Sequence, residues 1–146
     1  PKMHMQMMAK RRKKLQALGN SLPVPEIYGA SEGNVLLVGW GSTQGPIREA
    51  VDKARAAGDS VSAIHIKHIC PLPPGLENIF AGFNQVFVVE MNDEGLYGFG
   101  QLGGLLRARY CDPKIRGITK TDGLTFRVRE ILERAKTTVA AGVRKL

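Results

Sequence analysis

Glu90, Asn92, Asp93 and Glu94 crowd the end of an apolar run that opens at Val86. Carboxylates gathered at the C-terminal end of a buried strand lie where open α/β sheets hold their ligands. Such groups can move protons or orient a polar substrate. Glu90 is the odd residue, because a carboxylate inside an apolar strand has to be paired or hydrogen-bonded. It either bonds a loop backbone or an arginine such as Arg107, or it serves catalysis, and the structural role is preferred. A little further on, Gly98-Phe99-Gly100-Gln101-Leu102-Gly103 fits GxGxxG, the pattern that brings a helix N-terminus onto a pyrophosphate. The pattern should follow its strand at once, yet residues 92–97 intervene, and no acidic residue closes a second strand about twenty positions later. The match is therefore weak. His65 and His68 read HxxH, but three positions apart on a strand they face opposite ways and cannot grip one ion. His68 and Cys70 could share a face but find no further ligands. A metal or iron–sulfur site needs about four ligands. Cys70 and Cys111 offer two sulfurs without paired spacing, so no metal site and no catalytic set is expected from this chain alone.

The elements that position these groups are legible from periodicity. An apolar run over 35–40 ends at Gly39-Trp40-Gly41-Ser42-Thr43, and a helix is expected to open at Gly45-Pro46. Proline suits the first turn, where its missing N–H costs nothing. Ile47, Ala50, Val51 and Ala54 recur at helical spacing, and Gly58 stops the helix. This strand, glycine turn and helix make the first half of a βαβ unit. The free N–H groups at such a turn suit an anionic ligand or a partner's carboxylate, which makes Gly41, Ser42 and Thr43 candidates. Further strands are predicted over 61–66, 86–91 and 116–119, and a short edge strand over 26–29. Helices are predicted over 3–18, 76–83 and 101–110, with a last one capped by Thr125 and reaching about 141. Alternating strands and helices imply a mostly parallel sheet covered on both faces.

The net charge of +8 invites a nucleic-acid reading, but its distribution argues against one. Lys2, the run Lys10-Arg11-Arg12-Lys13-Lys14 and the pair Arg144-Lys145 carry it, while the body holds 13 basic and 13 acidic residues. A nucleic-acid domain usually shows a basic face on the fold itself. At 146 residues and 43% hydrophobic, one α/β domain with a real core is expected. No apolar run is long enough to span a bilayer. The basic N-terminus lacks the apolar stretch of a secretory signal. Reduced thiols in a cytoplasmic protein are expected. A chain opening on Pro1 is expected to be processed or, preferably, an excised fragment. The first helix has a narrow, methionine-rich stripe through Met5, Met8, Arg12 and Leu15, which suits packing on something outside this chain.

VLLVGWGSTQGPIREAV, a Pro-Leu-Pro after a strand, VFVVEMNDEG and QLGGLLR, in that order, resemble one family. It is the C-terminal part of the alpha subunit of 2-oxoacid:ferredoxin oxidoreductases, above all the 2-oxoglutarate enzymes. The resemblance covers nearly the whole chain, and HMQMMAKRRKKLQAL is similar to the helical connector that follows the pyrimidine-binding domain. One departure is the longer loop between Asn92 and Gln101.

The resemblance implies a transketolase C-terminal-like fold: a three-layer α/β/α sandwich whose five-stranded sheet has one antiparallel strand, for which 26–29 is the candidate. It divides the chain into a connector, 1–22, and an α/β domain, 23–146. It implies an enzyme that oxidatively decarboxylates a 2-oxoacid to an acyl-coenzyme A and reduces ferredoxin. Thiamine diphosphate, Mg and 4Fe–4S clusters would be held mainly by other domains and by the beta subunit. This chain would be a structural and assembly domain, inactive alone, without membrane or nucleic-acid partners. Asn92 and Gln101 join the ligand or interface candidates. Met5, Met8, Leu96, Tyr97 and Phe99 are the expected contact residues toward the rest of the alpha subunit and the beta subunit. A free-standing module that binds a nucleotide or coenzyme A through its glycine turns is the alternative, and a basic-tailed nucleic-acid binder a weaker one.

Overall fold

The computed structural model describes residues 1–143, with side chains through Lys136, so Arg144 and Lys145 lie outside the described residues. The elements run α1 (Lys2–Ser21), β1 (Ile27–Tyr28), β2 (Gly33–Trp40), a 3-10 turn (Gly41–Thr43), α2 (Gln44–Ala56), β3 (Val61–Ile66) and α3 (Leu76–Ala81). They continue as β4 (Phe83–Glu90), α4 (Gln101–Tyr110), β5 (Ile115–Thr119) and α5 (Val128–Val143). The five strands form one sheet in the order β1-β3-β2-β4-β5. β1 is antiparallel to β3 at the edge, and every other pairing is parallel. The short edge strand expected over 26–29 is therefore the antiparallel one.

β2 and β4 read as continuous apolar runs because both their faces are covered. Leu36 and Val38 pack on one face with Leu76 and Phe80 of α3 and with Leu102 and Leu106 of α4. Val35 and Leu37 pack on the other with Ile47 and Val51 of α2 and with Ile131 of α5. The three-layer α/β/α sandwich expected from the sequence follows from this alternation. A fully buried side chain such as Phe87 contributes roughly 1.5–3 kcal/mol by leaving water. No helix among the described residues is long and apolar enough to cross a membrane.

Four of the boundaries that differ from the sequence expectation have a clear local cause. α1 runs through Gly19-Asn20 to Ser21, whose hydroxyl donates to the Leu18 carbonyl. It ends because Leu22, preceding Pro23, is held extended at φ −70° and ψ 142°. α2 opens at Gln44, after the 3-10 turn, which places Pro46 within the first turn, where N–H groups have no intrahelical partner anyway. Phe83 belongs to β4, opposite Gly33, because its ring is buried under the sheet rather than continuing α3. Thr125 does not cap α5. The helix starts at Val128, Phe126 is drawn into the core, and the Arg127 N–H donates to Glu130 Oε2 at 2.7 Å.

Candidate functional site

From β2 the chain crosses through α2 to β3 on one side. From β4 it crosses through α4 to β5 on the other side, over the opposite face. The loops that leave β2 and β4 therefore part at a topological switch point, the place where open α/β sheets bind ligands. The turn Gly41–Thr43 and the loop 91–100 meet there: the Ser42 hydroxyl donates to Met91 Sδ at 3.6 Å.

The turn is built for the bend. Gly41 takes φ +59°, a conformation that a Cβ disfavours, although open space surrounds it. Thr43 is buried, and its hydroxyl donates to the Trp40 carbonyl at 2.9 Å and accepts the Trp40 N–H at 3.2 Å. That side chain closes the turn and leaves Ser42 as the exposed hydroxyl. Gly39, placed in the turn by the sequence but not among its candidates, is where a Cβ would run into Ile47 Cδ1 and lie 2.8 Å from Thr43 Oγ1. Its signal was a lone glycine inside an apolar strand.

Glu90 is fully buried at the end of β4. Its Oε1 accepts the Gly103 N–H at 2.7 Å, and its Oε2 accepts the Leu102 N–H at 2.8 Å and the Asn92 side-chain amide at 3.1 Å. Leu102 and Gly103 belong to the first turn of α4, whose N–H groups have no intrahelical partners. The carboxylate therefore satisfies them and lies at the positive end of the helix dipole. Arg107 is not its partner; it donates to the Asp112 and Ile115 carbonyls and lies over the Phe99 ring. The GxGxxG glycines serve the same contact. A Cβ on Gly100 would come within 2.5 Å of Glu90 Oε1, and one on Gly103 within 3.2 Å. Where a dinucleotide protein puts a pyrophosphate, this chain has put its own glutamate.

The loop is knit locally. Asp93 Oδ1 accepts the Gly95 N–H at 2.7 Å, the Phe99 N–H donates to the Glu94 carbonyl, and the Thr119 hydroxyl donates to Glu94 Oε2. Phe99 is half-buried, lying close to Gly117 and under Arg107, whereas Leu96 is 95% and Tyr97 86% exposed. Gln101 begins α4 and is exposed. Met5 and Met8 are exposed on α1, which buries none of its residues. No group of three or more histidine, cysteine or carboxylate side chains fit for a metal ion occurs among the described residues. His65, in β3, and His68, beyond its end, both border a cleft beside β3.

The family described as pyruvate:ferredoxin oxidoreductase core domain II matches residues 33–131. The chain belongs to this family. This chain is 32% identical over 119 residues to the 2-oxoglutarate oxidoreductase subunit KorA of Mycobacterium tuberculosis, covering 80% of this chain and 17% of that one. It is 34% identical over 127 residues to the alpha subunit of 2-oxoacid:ferredoxin oxidoreductase 2 of Aeropyrum pernix, covering 84% and 19%. Among solved structures, 2-oxoglutarate:ferredoxin oxidoreductase from Magnetococcus marinus, with 2-oxoglutarate, coenzyme A and succinyl-CoA bound, superposes with a TM-score of 0.80. That match has 32% identity and covers 94% of this chain and 23% of that chain. An alpha chain of a probable 2-oxoacid ferredoxin oxidoreductase from Thermoplasma acidophilum shares the fold at a TM-score of 0.52 and 24% identity, covering 80% and 97%. The chain thus spans under a fifth of the length of these two curated relatives.

Proposed function

We propose that this chain is the structural and assembly domain of a cytoplasmic 2-oxoacid:ferredoxin oxidoreductase alpha subunit, most similar to those acting on 2-oxoglutarate. The observation that carries the non-catalytic role is the filled N-terminus of α4. Three donors converge on Glu90, so the glycine turn that would cradle a diphosphate is already occupied by this chain's own carboxylate. The residues there do not fit thiamine diphosphate, a nucleotide or coenzyme A. Thiamine diphosphate, Mg, 4Fe–4S clusters and coenzyme A then belong to the other domains and the beta subunit, with ferredoxin as the acceptor. The same feature counts against a free-standing nucleotide module.

Residues 1–22 form the connector and 23–146 the domain in this reading. Its contact surfaces are the methionine stripe of α1 with Met5 and Met8, and the switch-point rim with Ser42, Leu96 and Tyr97. Large apolar side chains held in water on a polar, glycine-rich loop are typical interface anchors. The test is an assay of the purified chain with 2-oxoglutarate, coenzyme A, thiamine diphosphate, Mg and an artificial electron acceptor. No turnover is expected, and turnover above buffer overturns the reading. Hydrogen exchange on the chain and on the assembled enzyme then tests the surfaces. Added protection of α1 and loop 91–100 in the assembly is expected, and equal protection in both removes the interface assignment.

A further inference from the structure

The cleft beside the antiparallel edge takes no part in the reading above. It has a volume of about 410 Å3 and is walled by the extended segment that leads into β1, the start of α2 and the end of β3. Prolines and aliphatic side chains, among them Pro23, Val24, Ile27 and Pro73, make its floor apolar. Its polar lining is mainly cationic or donor in character: Arg48, Lys67, His65 and His68 face a single carboxylate, Glu26. Cavities of this size with an apolar body and a few convergent polar groups are the usual form of a small-molecule site.

Each basic group is held without spending its donors on a carboxylate. The Arg48 guanidinium lies 5.0 Å from the centroid of the Tyr28 ring, and the Tyr28 hydroxyl donates to Asp52 Oδ1 at 2.8 Å. The tyrosine thereby anchors Arg48 through its ring face and leaves the guanidinium N–H groups available. Neither Arg48 nor Lys67 makes an ion pair among the described residues. His65 turns Nδ1 inward toward Gly39, buried and without a hydrogen-bond partner. With Nδ1 turned away, Nε2 is the ring nitrogen left to meet a ligand in the cleft that His65 lines. The His65 pKa is lowered by desolvation first, then by the positive charges of Lys67 and Arg48.

We propose that this cleft binds a small phosphomonoester with an apolar body, its phosphoryl group held by Arg48, Lys67 and the Nε2–H of His65. Three separate donor groups suit the three oxygens of a phosphoryl group better than the two of a carboxylate, and a guanidinium pairs with phosphate through two parallel bonds. The apolar floor takes the body of the ligand. This site is independent of the oxidoreductase assignment, since none of its residues lies in the switch-point crevice.

The test is calorimetric titration of the full 146-residue chain with phenyl phosphate, inorganic phosphate and benzoate. Phenyl phosphate is expected to bind, and more tightly than either of the others. Arg48→Met and Lys67→Met are each expected to weaken it by roughly tenfold, because each removes a charge-assisted contact. Both residues are exposed, so an unchanged thermal midpoint will show that the variants fold. As a second readout, saturating phenyl phosphate is expected to raise the His65 imidazole pKa followed by NMR, since the anion offsets Arg48, Lys67 and His68 around it while Glu26 and Tyr28 stay in place. Absence of binding, or affinities within about twofold of the parent in both variants, overturns the site. Benzoate binding as tightly as phenyl phosphate overturns the choice of phosphate. Inorganic phosphate binding equally well overturns the apolar body.

Discussion

Glu90 Oε1 accepts the backbone N–H of Gly103 at 2.7 Å, joining the end of the interior strand β4 to the first turn of α4. The contact does with one side chain what many α/β proteins do with a bound anion: it satisfies the free N–H groups of a helix that leaves the switch point. Substituting Glu90 tests this directly. Glu90→Ala leaves the Leu102 and Gly103 donors buried and unpaired and is expected to cost about 3 kcal/mol or more, at roughly 1–3 kcal/mol per orphaned group. Glu90→Gln keeps the shape but turns an NH2 toward an N–H, and is expected to cost roughly 1–3 kcal/mol. Denaturant midpoints with unchanged slopes measure both, and a neutral Glu90→Ala would show that the helix end does not depend on the carboxylate.

Two glycines of the same region are expected to respond in opposite directions. A Cβ at Gly100 would lie 2.5–2.9 Å from the Glu90 carboxylate atoms, so Gly100→Ala displaces the carboxylate and destabilises. Gly104, inside α4, has only Phe99 Cβ nearby, at 3.9 Å. Gly104→Ala is therefore expected to gain about 0.5–1 kcal/mol from helix propensity. Thermal unfolding of the two variants side by side reads the sign of each change.

Gly41 isolates backbone strain from crowding. It has φ +59° and nothing within 4 Å of where its Cβ would stand. Gly41→Val is expected to destabilise by roughly 1–3 kcal/mol through the dihedral alone, and Gly41→Ala by less. An unchanged denaturant midpoint for Gly41→Val would show that the turn relaxes to another conformation without cost.

His65 makes stability depend on pH with a definite sign. Its folded pKa lies below the ordinary 6.5, chiefly through desolvation and then through Lys67 and Arg48. The unfolded chain therefore binds a proton at this position more readily than the folded one. This contribution is fully present above pH 6.5 and declines as pH falls through 6.5 toward the folded value. His65→Gln is expected to flatten the fall in stability between about pH 7.5 and about pH 5.5. Denaturant midpoints at both pH values measure it, and parallel curves for the parent and the variant would remove His65 from the account.

Much of this protein is decided locally. Residues 35–40 and 86–90 are strands because β-branched and aliphatic side chains in an unbroken run have to be covered on both faces. Ile47, Ala50, Val51 and Ala54 make α2 a helix because their spacing puts them on one side, and all four are buried there. The antiparallel edge strand is announced by Pro25, which suits an edge, where its missing N–H is not needed. Sequence alone also required that Glu90 have a partner. It did not say which. Arg107 and a loop backbone were chemically equivalent choices, and only the crossing of α4 over β4 brought the N–H groups of Leu102 and Gly103 to the carboxylate, twelve and thirteen positions away. The same holds for Phe99, which turns back toward Arg107 while Leu96 and Tyr97 face outward. It holds too for the cleft, which draws on β1, α2 and β3. Periodicity reports whether a side chain needs burial or a partner, because that demand belongs to the residue itself. Which group answers it depends on segments distant in the chain, and these meet only when the sheet order β1-β3-β2-β4-β5 is assembled.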